Sequence, residues 1–496
     1  MKIILFNPLA KSNREPATFP LGLLSIASHL KKCGHTVKLS DRTVTATDYK
    51  REINDFKPDI VGISFLSSKT VRDAKKIAEY AHALGIPVVF GNTLASAIAD
   101  ILLTEGFADY VCMGEGEFAF EDLLFALENE RPIEDVPGFA LLRDGSVFYT
   151  KPRPFADGAD LPIIDWSFIE PEKYVRPSYE CKRMSFVYSS KGCVANCTFC
   201  FNETFHQMNR RVRPFENVTA EIRDLIDNYG LDGIFFGDEL WSASKEELYE
   251  KCKALKELNL PFVWGCHLRV GMFGQEEYDF MYECGCRWIF FGVETGSPRI
   301  LKQINKGINT QKVIDAHRMA YKAGISLLPS FIIGFPGERE EDLRFTVDLI
   351  KEIAQYSNPK AFFLSPLIGT KIYYELVEKG LVEEIKKLDQ MDLQWNKMKK
   401  NYSSVSDKDL KVIYSHVIWW SVTNKNSSKG KEKNKGKVGF SHPLNALLAV
   451  LISIPQNGIK MLIPNLFYST TEFLKILFYI SFFPNTKKKY GLYRNK

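Results

Sequence analysis

Apolar residues fall into two series of short runs, separated by stretches with a helical period. The first series is Lys2-Ile3-Ile4-Leu5-Phe6-Asn7, Thr36–Ser40, Ile60–Ser64, Pro87–Phe90 and Tyr110–Met113. Between them, Pro20 to Cys33 has an amphipathic period that stops at Gly34, and helical patterns recur at roughly 69–84, 93–105 and 117–128. Alternation of apolar strands with helices predicts a parallel, doubly wound α/β sheet covered on both faces. Such sheets bind ligands at the carboxyl ends of their strands. The residues expected there are Asn7, Ser64-Phe65, Gly91-Asn92 and Gly114-Glu115-Gly116-Glu117, all but Phe65 small or polar.

Residues 131–180 break the alternation. Prolines recur through them, and an Asp144-Gly145 turn between short strand-like pieces predicts a hairpin inside a linker. A second series then begins at Met184–Tyr188 and continues with Leu231–Phe236, Pro261–Gly265, Trp288–Val293, Leu327–Ile333 and Ala361–Leu364. Helical patterns near 216–228, 245–257, 275–284, 310–323 and 339–354 separate these strands. Six such units predict a partial (β/α)6 barrel over 181–380, with its site again at the strands' carboxyl ends. The expected organisation is therefore a Rossmann-like domain over 1–130, the linker, the barrel, and a helical C-terminal region over 381–496.

The C-terminal region changes in character. Positions 424–437 form a polar, basic run that reads as a flexible stretch. Beyond it, apolar stretches over 443–455 and 459–483 are too short or too interrupted by charge to predict a membrane span. With Lys487-Lys488-Lys489 they suit a peripheral membrane interface, and equally helices packed on the barrel. Composition narrows the rest. A net charge of +5 on 496 residues speaks against general nucleic-acid affinity, and ten cysteines do not make a disulfide scaffold. With no signal-peptide pattern at the start, the expected compartment is the cytoplasm.

The chemistry concentrates in Lys191-Gly192-Cys193-Val194-Ala195-Asn196-Cys197-Thr198-Phe199-Cys200. Three thiolates on a tight loop can hold three corners of a cubane iron–sulfur cluster and leave the fourth iron open. The alternative is zinc, which in structural sites closes with four ligands; His206, the nearby candidate for the fourth, has an unsuitable spacing. The Arg211-Val212-Arg213 stretch that follows reads either as a cover for an acidic or phosphorylated ligand or as a solvated turn. Cys193-x-x-x-Cys197-x-x-Cys200 resembles the signature of the radical S-adenosylmethionine (SAM) superfamily. That resemblance implies a [4Fe–4S] cluster ligated by Cys193, Cys197 and Cys200. It also implies SAM chelated to the open iron and cleaved to a 5′-deoxyadenosyl radical.

Further stretches extend the resemblance over residues 1 to about 380. Pro20–Leu23, Asp59–Ser64, Val88–Gly91 and Asp109–Glu117 resemble the cobalamin-binding domain of cobalamin-dependent radical SAM enzymes, which makes Ser64, Gly91, Gly114 and Glu115 expected cofactor contacts. One departure stands out. The Asp-x-His-x-x-Gly pattern that gives cobalt a histidine in methionine-synthase-like domains is absent, and the first loop reads Pro8–Glu15 instead. In the barrel, Gly237-Asp238-Glu239 stands where the family meets SAM's amino group, with Asp238 and Glu239 both candidates. Arg269 stands where a guanidinium can pair the SAM carboxylate. Gly292-Val293-Glu294 resembles the Gly-x-Glu stretch that reaches SAM's ribose or amino group, and Gly334–Glu338 resembles the Gly-x-Pro-Gly-Glu turn. The implied activity is methyl transfer to an unactivated carbon of a small-molecule or lipid substrate. An external donor such as flavodoxin or ferredoxin would supply electrons. The alternatives are radical cyclisation, rearrangement or oxidation, and a sensor without turnover.

Overall fold

The protein is described as a computed structural model covering residues 1–10, 19–177, 180–391, 400–423, 475, 478–479 and 481–492. It divides into two compact units: Met1–Glu239, Leu260–Phe262 and Pro366–Trp395 in the first, and Leu240–Asn259, Val263–Ser365 and Asn396–Lys496 in the second.

The first unit opens with the doubly wound sheet. Strands β1 (Lys2–Asn7), β2 (Thr36–Asp41), β3 (Ile60–Ser64), β4 (Val88–Gly91) and β5 (Tyr110–Cys112) run parallel in the order β2-β1-β3-β4-β5. Alternate residues feed two cores. Ile4, Phe6, Val61, Ile63, Val88, Phe90 and Val111 pack on one face, whereas Ile3, Leu5, Ile60, Val89 and Cys112 pack on the other. Period-two side-chain alternation in strands buried on both faces produces this division. The strand order reverses at β1 and β3, the switch point where doubly wound sheets bind ligands. The hairpin formed by β6 (Phe139–Arg143) and β7 (Ser146–Tyr149) pairs antiparallel onto β5 and extends the sheet to seven strands. The Asp-Gly turn thus marks an edge of the sheet and is not part of a free linker.

The six strands of the second series all form. β8 (Met184–Val187) and β11 (Gly233–Phe236) pair in parallel within the first unit. Between them in the chain, β9 (Ser190–Lys191) and β10 (Arg211–Val212) make a short antiparallel ribbon that closes the base of the cysteine loop. In the second unit β12 (Val263–Leu268), β13 (Cys286–Glu294), β14 (Ser326–Ile333) and β15 (Lys360–Phe363) pair successively in parallel. Helices at Lys245–Glu257 and Thr310–Ala323 have the predicted bounds. Those at Tyr49–Phe56, Pro298–Gln303 and Lys371–Glu378 are too short to give a clear periodic signal.

The basic run and the apolar stretches of the tail lie outside the described residues, apart from a few positions from 475 onward. Among the described residues no helix is long and apolar enough to cross a membrane. Lys489, from the basic triplet, pairs with Glu340 and with Asp409 at 3.1 Å.

Candidate functional site

Cys193, Cys197 and Cys200 lie on the loop between β9 and the short helix Asn202–Phe205. Asn202, buried at the start of that helix, clamps the loop. Its Oδ1 accepts from the Cys193 N–H at 2.8 Å, and its Nδ2 donates to the carbonyls of Cys193, at 2.7 Å, and Ala195. Gly192 enters the loop at φ 82°, and a Cβ there would sit 2.2 Å from the Asn209 carbonyl oxygen, so only glycine fits. Three thiols on one pinned loop suit three corners of an iron–sulfur cluster.

The two carboxylates after β11 divide their work. Asp238 is buried and accepts from the Ser189 N–H and from the hydroxyls of Ser189 and Ser190, holding the strand that leads into the loop. Glu239 is half-exposed, accepts from the Gly192 N–H at 3.0 Å, and lies 3.5 Å from His206 Nε2. Desolvation pushes its pKa up, but hydrogen bonds from His206 and the Gly192 N–H outweigh this and hold the carboxyl below its ordinary value.

A cavity of about 260 Å³ opens at the switch point of the first sheet. Its walls include Leu5, Ser64, Gly91, Gly114 and Glu115 from the strand ends, and Tyr188, Lys191, His206, Gly237 and Glu239 from the cysteine-loop side. The four residues expected to contact cobalamin therefore share one cavity with Gly237 and Glu239. At Gly22 and Gly114, both in its wall, an added Cβ would meet no atom within 4 Å, so the wall leaves room for a ligand. Cys112 also lines it, but burial pushes that thiol up to about 12 and keeps it protonated.

Ion pairs around the cavity tie the strand ends to the loop. Arg211 grips Glu115 bidentately at 2.9 and 2.8 Å and donates at 3.2 Å to His206 Nδ1, which leaves the Nε2 proton facing Glu239. A continuous polar relay thus runs Glu115–Arg211–His206–Glu239. Beneath it, Lys191 pairs with buried Glu117, which also accepts from Ser25. Burial alone would raise Glu117 and lower Lys191; their mutual attraction prevails and shifts both the other way. The two readings of Arg211-Val212-Arg213 are both corrected. Arg211 is 7% exposed and Arg213 1% exposed, and their acidic partners are the protein's own Glu115 and Glu221. Sequence inspection missed Asn202 and Lys191, because a side chain's reach to a loop carbonyl or a distant glutamate leaves no local pattern.

In the second unit, Arg269 directly follows β12 and donates to the Lys306 carbonyl, while Lys306 Nζ pairs with Glu294 at 2.7 Å. Glu294 ends β13 at a register shift and has φ 69°, rare for a residue with a side chain and typical of strained functional positions. A Cβ on Gly292 would lie 2.3 Å from Glu294 Oε1, so the ion pair needs that glycine. Gly334 closes its turn by donating to Glu338 Oε2 at 2.7 Å. Burial pushes the Glu338 carboxyl up to about 8.

Comparison with known proteins agrees with this organisation. Residues 10–124 match the B12 binding domain, and residues 187–350 match the radical SAM superfamily. The chain is 32% identical over 397 residues to an uncharacterized methyltransferase of Pyrococcus horikoshii, spanning 77% of this chain and 84% of the relative. It is 27% identical over 451 residues to the cytidylyl-2-hydroxyethylphosphonate methyltransferase of Streptomyces wedmorensis, spanning 79% and 84%. The cobalamin-dependent SAM radical enzyme OxsB shares the fold with a TM-score of 0.69 at 17% identity, over 96% of this chain and 71% of that one. The radical SAM methyltransferase TsrM of Kitasatospora setae gives 0.64 at 17% identity, over 76% of each chain. Cysteine loop, switch-point cavity and sequence kinship lead to one assignment: the chain belongs to the radical SAM family whose members carry a B12-binding domain.

Proposed function

We propose that the protein is a cobalamin-dependent radical SAM methyltransferase acting on a small molecule. The observation that carries this reading is the single cavity whose walls join Ser64, Gly91, Gly114 and Glu115 to Lys191, His206 and Glu239. A corrinoid seated there has the B12-domain strand ends on one side and the cysteine loop on the other. When bound, the cofactors supply one-electron cleavage of SAM and a cobalt-borne methyl group, with an external donor such as flavodoxin or ferredoxin furnishing the electron.

The chain's own residues hold and orient these groups. Cys193, Cys197 and Cys200 ligate iron, Asn202 keeps their loop in one conformation, and Asp238 fixes the strand beneath it. Glu239, kept anionic, accepts from the ammonium of SAM, and His206 aims it. Arg269 keeps guanidinium donors beyond the one given to Lys306, consistent with carboxylate pairing. For Arg269, Glu294 and Gly334 the assignment rests on family resemblance. Methyl transfer is preferred over cyclisation or rearrangement because both quoted relatives are named as methyltransferases. The domain boundaries near 130, 180 and 380 are part of this reading, as is attachment of the tail to a membrane surface.

The deciding experiment uses anaerobically reconstituted, cobalamin-loaded full-length protein with SAM and a low-potential reductant. Both 5′-deoxyadenosine and S-adenosylhomocysteine are expected, the second from remethylation of cobalt. Deoxyadenosine without S-adenosylhomocysteine would favour cyclisation or rearrangement, and the absence of both would refute the enzyme assignment.

A further inference from the structure

Away from the cavity, a second group of metal-ligating side chains lies on the outer helices of the first sheet. His29 belongs to the helix Leu21–Lys32, Cys33 caps its C-terminus, and Glu121 projects from Glu117–Glu128. Spacing i, i+4 sets His29 and Cys33 one turn apart on the same face. His29 Nε2 is 2.6 Å from Glu121 Oε2, Cys33 Sγ is 3.2 Å from Glu121 Oε1, and Cys33 Sγ is 3.7 Å from His29 Nε2.

The nitrogen–sulfur separation matches an edge of a coordination shell, and the hydrogen-bonded His29–Glu121 contact opens from 2.6 Å to about 3.4 Å when a tetrahedral ion takes the place of the proton. With Zn–N of about 2.0–2.1 Å and Zn–S of about 2.3 Å, the nitrogen–sulfur edge of a zinc tetrahedron is about 3.6 Å. The observed 3.7 Å therefore needs little rearrangement. The edge of the Phe118 ring, 4.5 Å away between centroids, braces the imidazole. Among the described residues this is the one group of three or more His, Cys, Asp or Glu side chains whose ligand atoms all fall within 4.8 Å of one another.

We infer that His29, Cys33 and Glu121 form a three-ligand site for a divalent transition metal of the zinc type, separate from the iron–sulfur loop, with the fourth position left to water. One imidazole, one thiolate and one carboxylate make a mixed donor set of borderline softness that suits zinc over magnesium or calcium. Binding replaces the protons that now bridge these groups. His29 is buried, Glu121 partly so, and Cys33 exposed, which gives the ion a route in from solvent. The metal would tie the C-terminal turn of the first helix to the middle of the second and needs no part in the radical chemistry.

The test is metal analysis of cluster-loaded, full-length protein incubated with zinc and then dialysed against a mild chelator. Zinc K-edge absorption is recorded on the same sample. One zinc per chain is expected, with a single sulfur scatterer at about 2.3 Å. To exclude zinc on any cluster cysteines left without iron, the measurement is repeated on a Cys193→Ala, Cys197→Ala, Cys200→Ala triple variant, which should keep the one equivalent. Cys33→Ser and Glu121→Gln alter only partly exposed positions and should lose it while iron content stays unchanged. Zinc absent from wild type, bound without a sulfur ligand, or undiminished in both single variants would overturn the inference.

Discussion

Replacing Asn202 by alanine tests how the cluster loop is held. The substitution deletes one acceptor and two donated hydrogen bonds, which now join a 4%-exposed amide to Cys193 and Ala195. At about 0.5–1.5 kcal/mol net per bond, the closed loop loses about 1.5–4.5 kcal/mol. Each 1.4 kcal/mol is a tenfold change in an equilibrium, so the opened loop becomes about ten- to a thousandfold more populated. Chelator attack on iron follows that open population. The assay is anaerobic loss of the cluster's visible absorbance in excess bathophenanthroline, with far-ultraviolet circular dichroism to confirm the fold. Asn202→Ala should lose iron at least about tenfold faster than wild type. Asn202→Asp, which keeps an acceptor for the Cys193 N–H but loses both donors, should fall between. Equal rates for Asn202→Ala and wild type would show that the cysteines and iron alone order the loop, refuting the clamp.

Three further outcomes follow from the same geometry. Lys191→Met strands Glu117 in a site only 2% exposed and should cost about 3–5 kcal/mol in urea unfolding near pH 7, whereas adding Glu117→Gln should recover much of that loss. In the wild type Glu117 lies below its ordinary 4.5 and Lys191 above its ordinary 10.5. Glu117's share of stability is thus present above pH 4.5 and lost as pH falls through its folded value; that of Lys191 is present below 10.5 and lost as pH rises through its own. Gly91→Leu places a side chain in the cavity wall, where its Cβ meets only Cys112 Cβ at 3.7 Å. Retained corrinoid after gel filtration should drop at least tenfold with an unchanged melting temperature; full retention would move the cobalamin site elsewhere. His206→Phe cuts the relay to Glu239 and should weaken equilibrium binding of SAM several-fold in cobalamin-loaded protein while iron content holds. An unaltered Kd would leave His206 a packing residue.

Much of the architecture was legible because its signals are local. Buried parallel strands read as apolar runs, and helices of three turns or more read by their period, as in Lys245–Glu257 and Thr310–Ala323. Cys193-x-x-x-Cys197-x-x-Cys200 carries its chemistry in spacing alone, and strand ends could be placed once strands were known. The short helices and the attachment of the hairpin to β5 could not be read, since the first lack periodicity and the second is a pairing across the sheet.

What the sequence determined by itself was the order of the strands along the chain, the spacing of the cysteine loop, and which small or polar residues stand at strand ends. The tertiary structure decided how those residues are used. Between neighbouring Asp238 and Glu239 composition offers no choice; burial against Ser189 and Ser190 commits the first to structure and leaves the second facing the cavity. Arg211 and Arg213 look like an exposed basic pair until Glu115 and Glu221, far apart in the chain, are brought to them. The physical reason is range: propensity and periodicity act over a few residues, whereas burial and ion pairing depend on partners that only the folded chain makes neighbours.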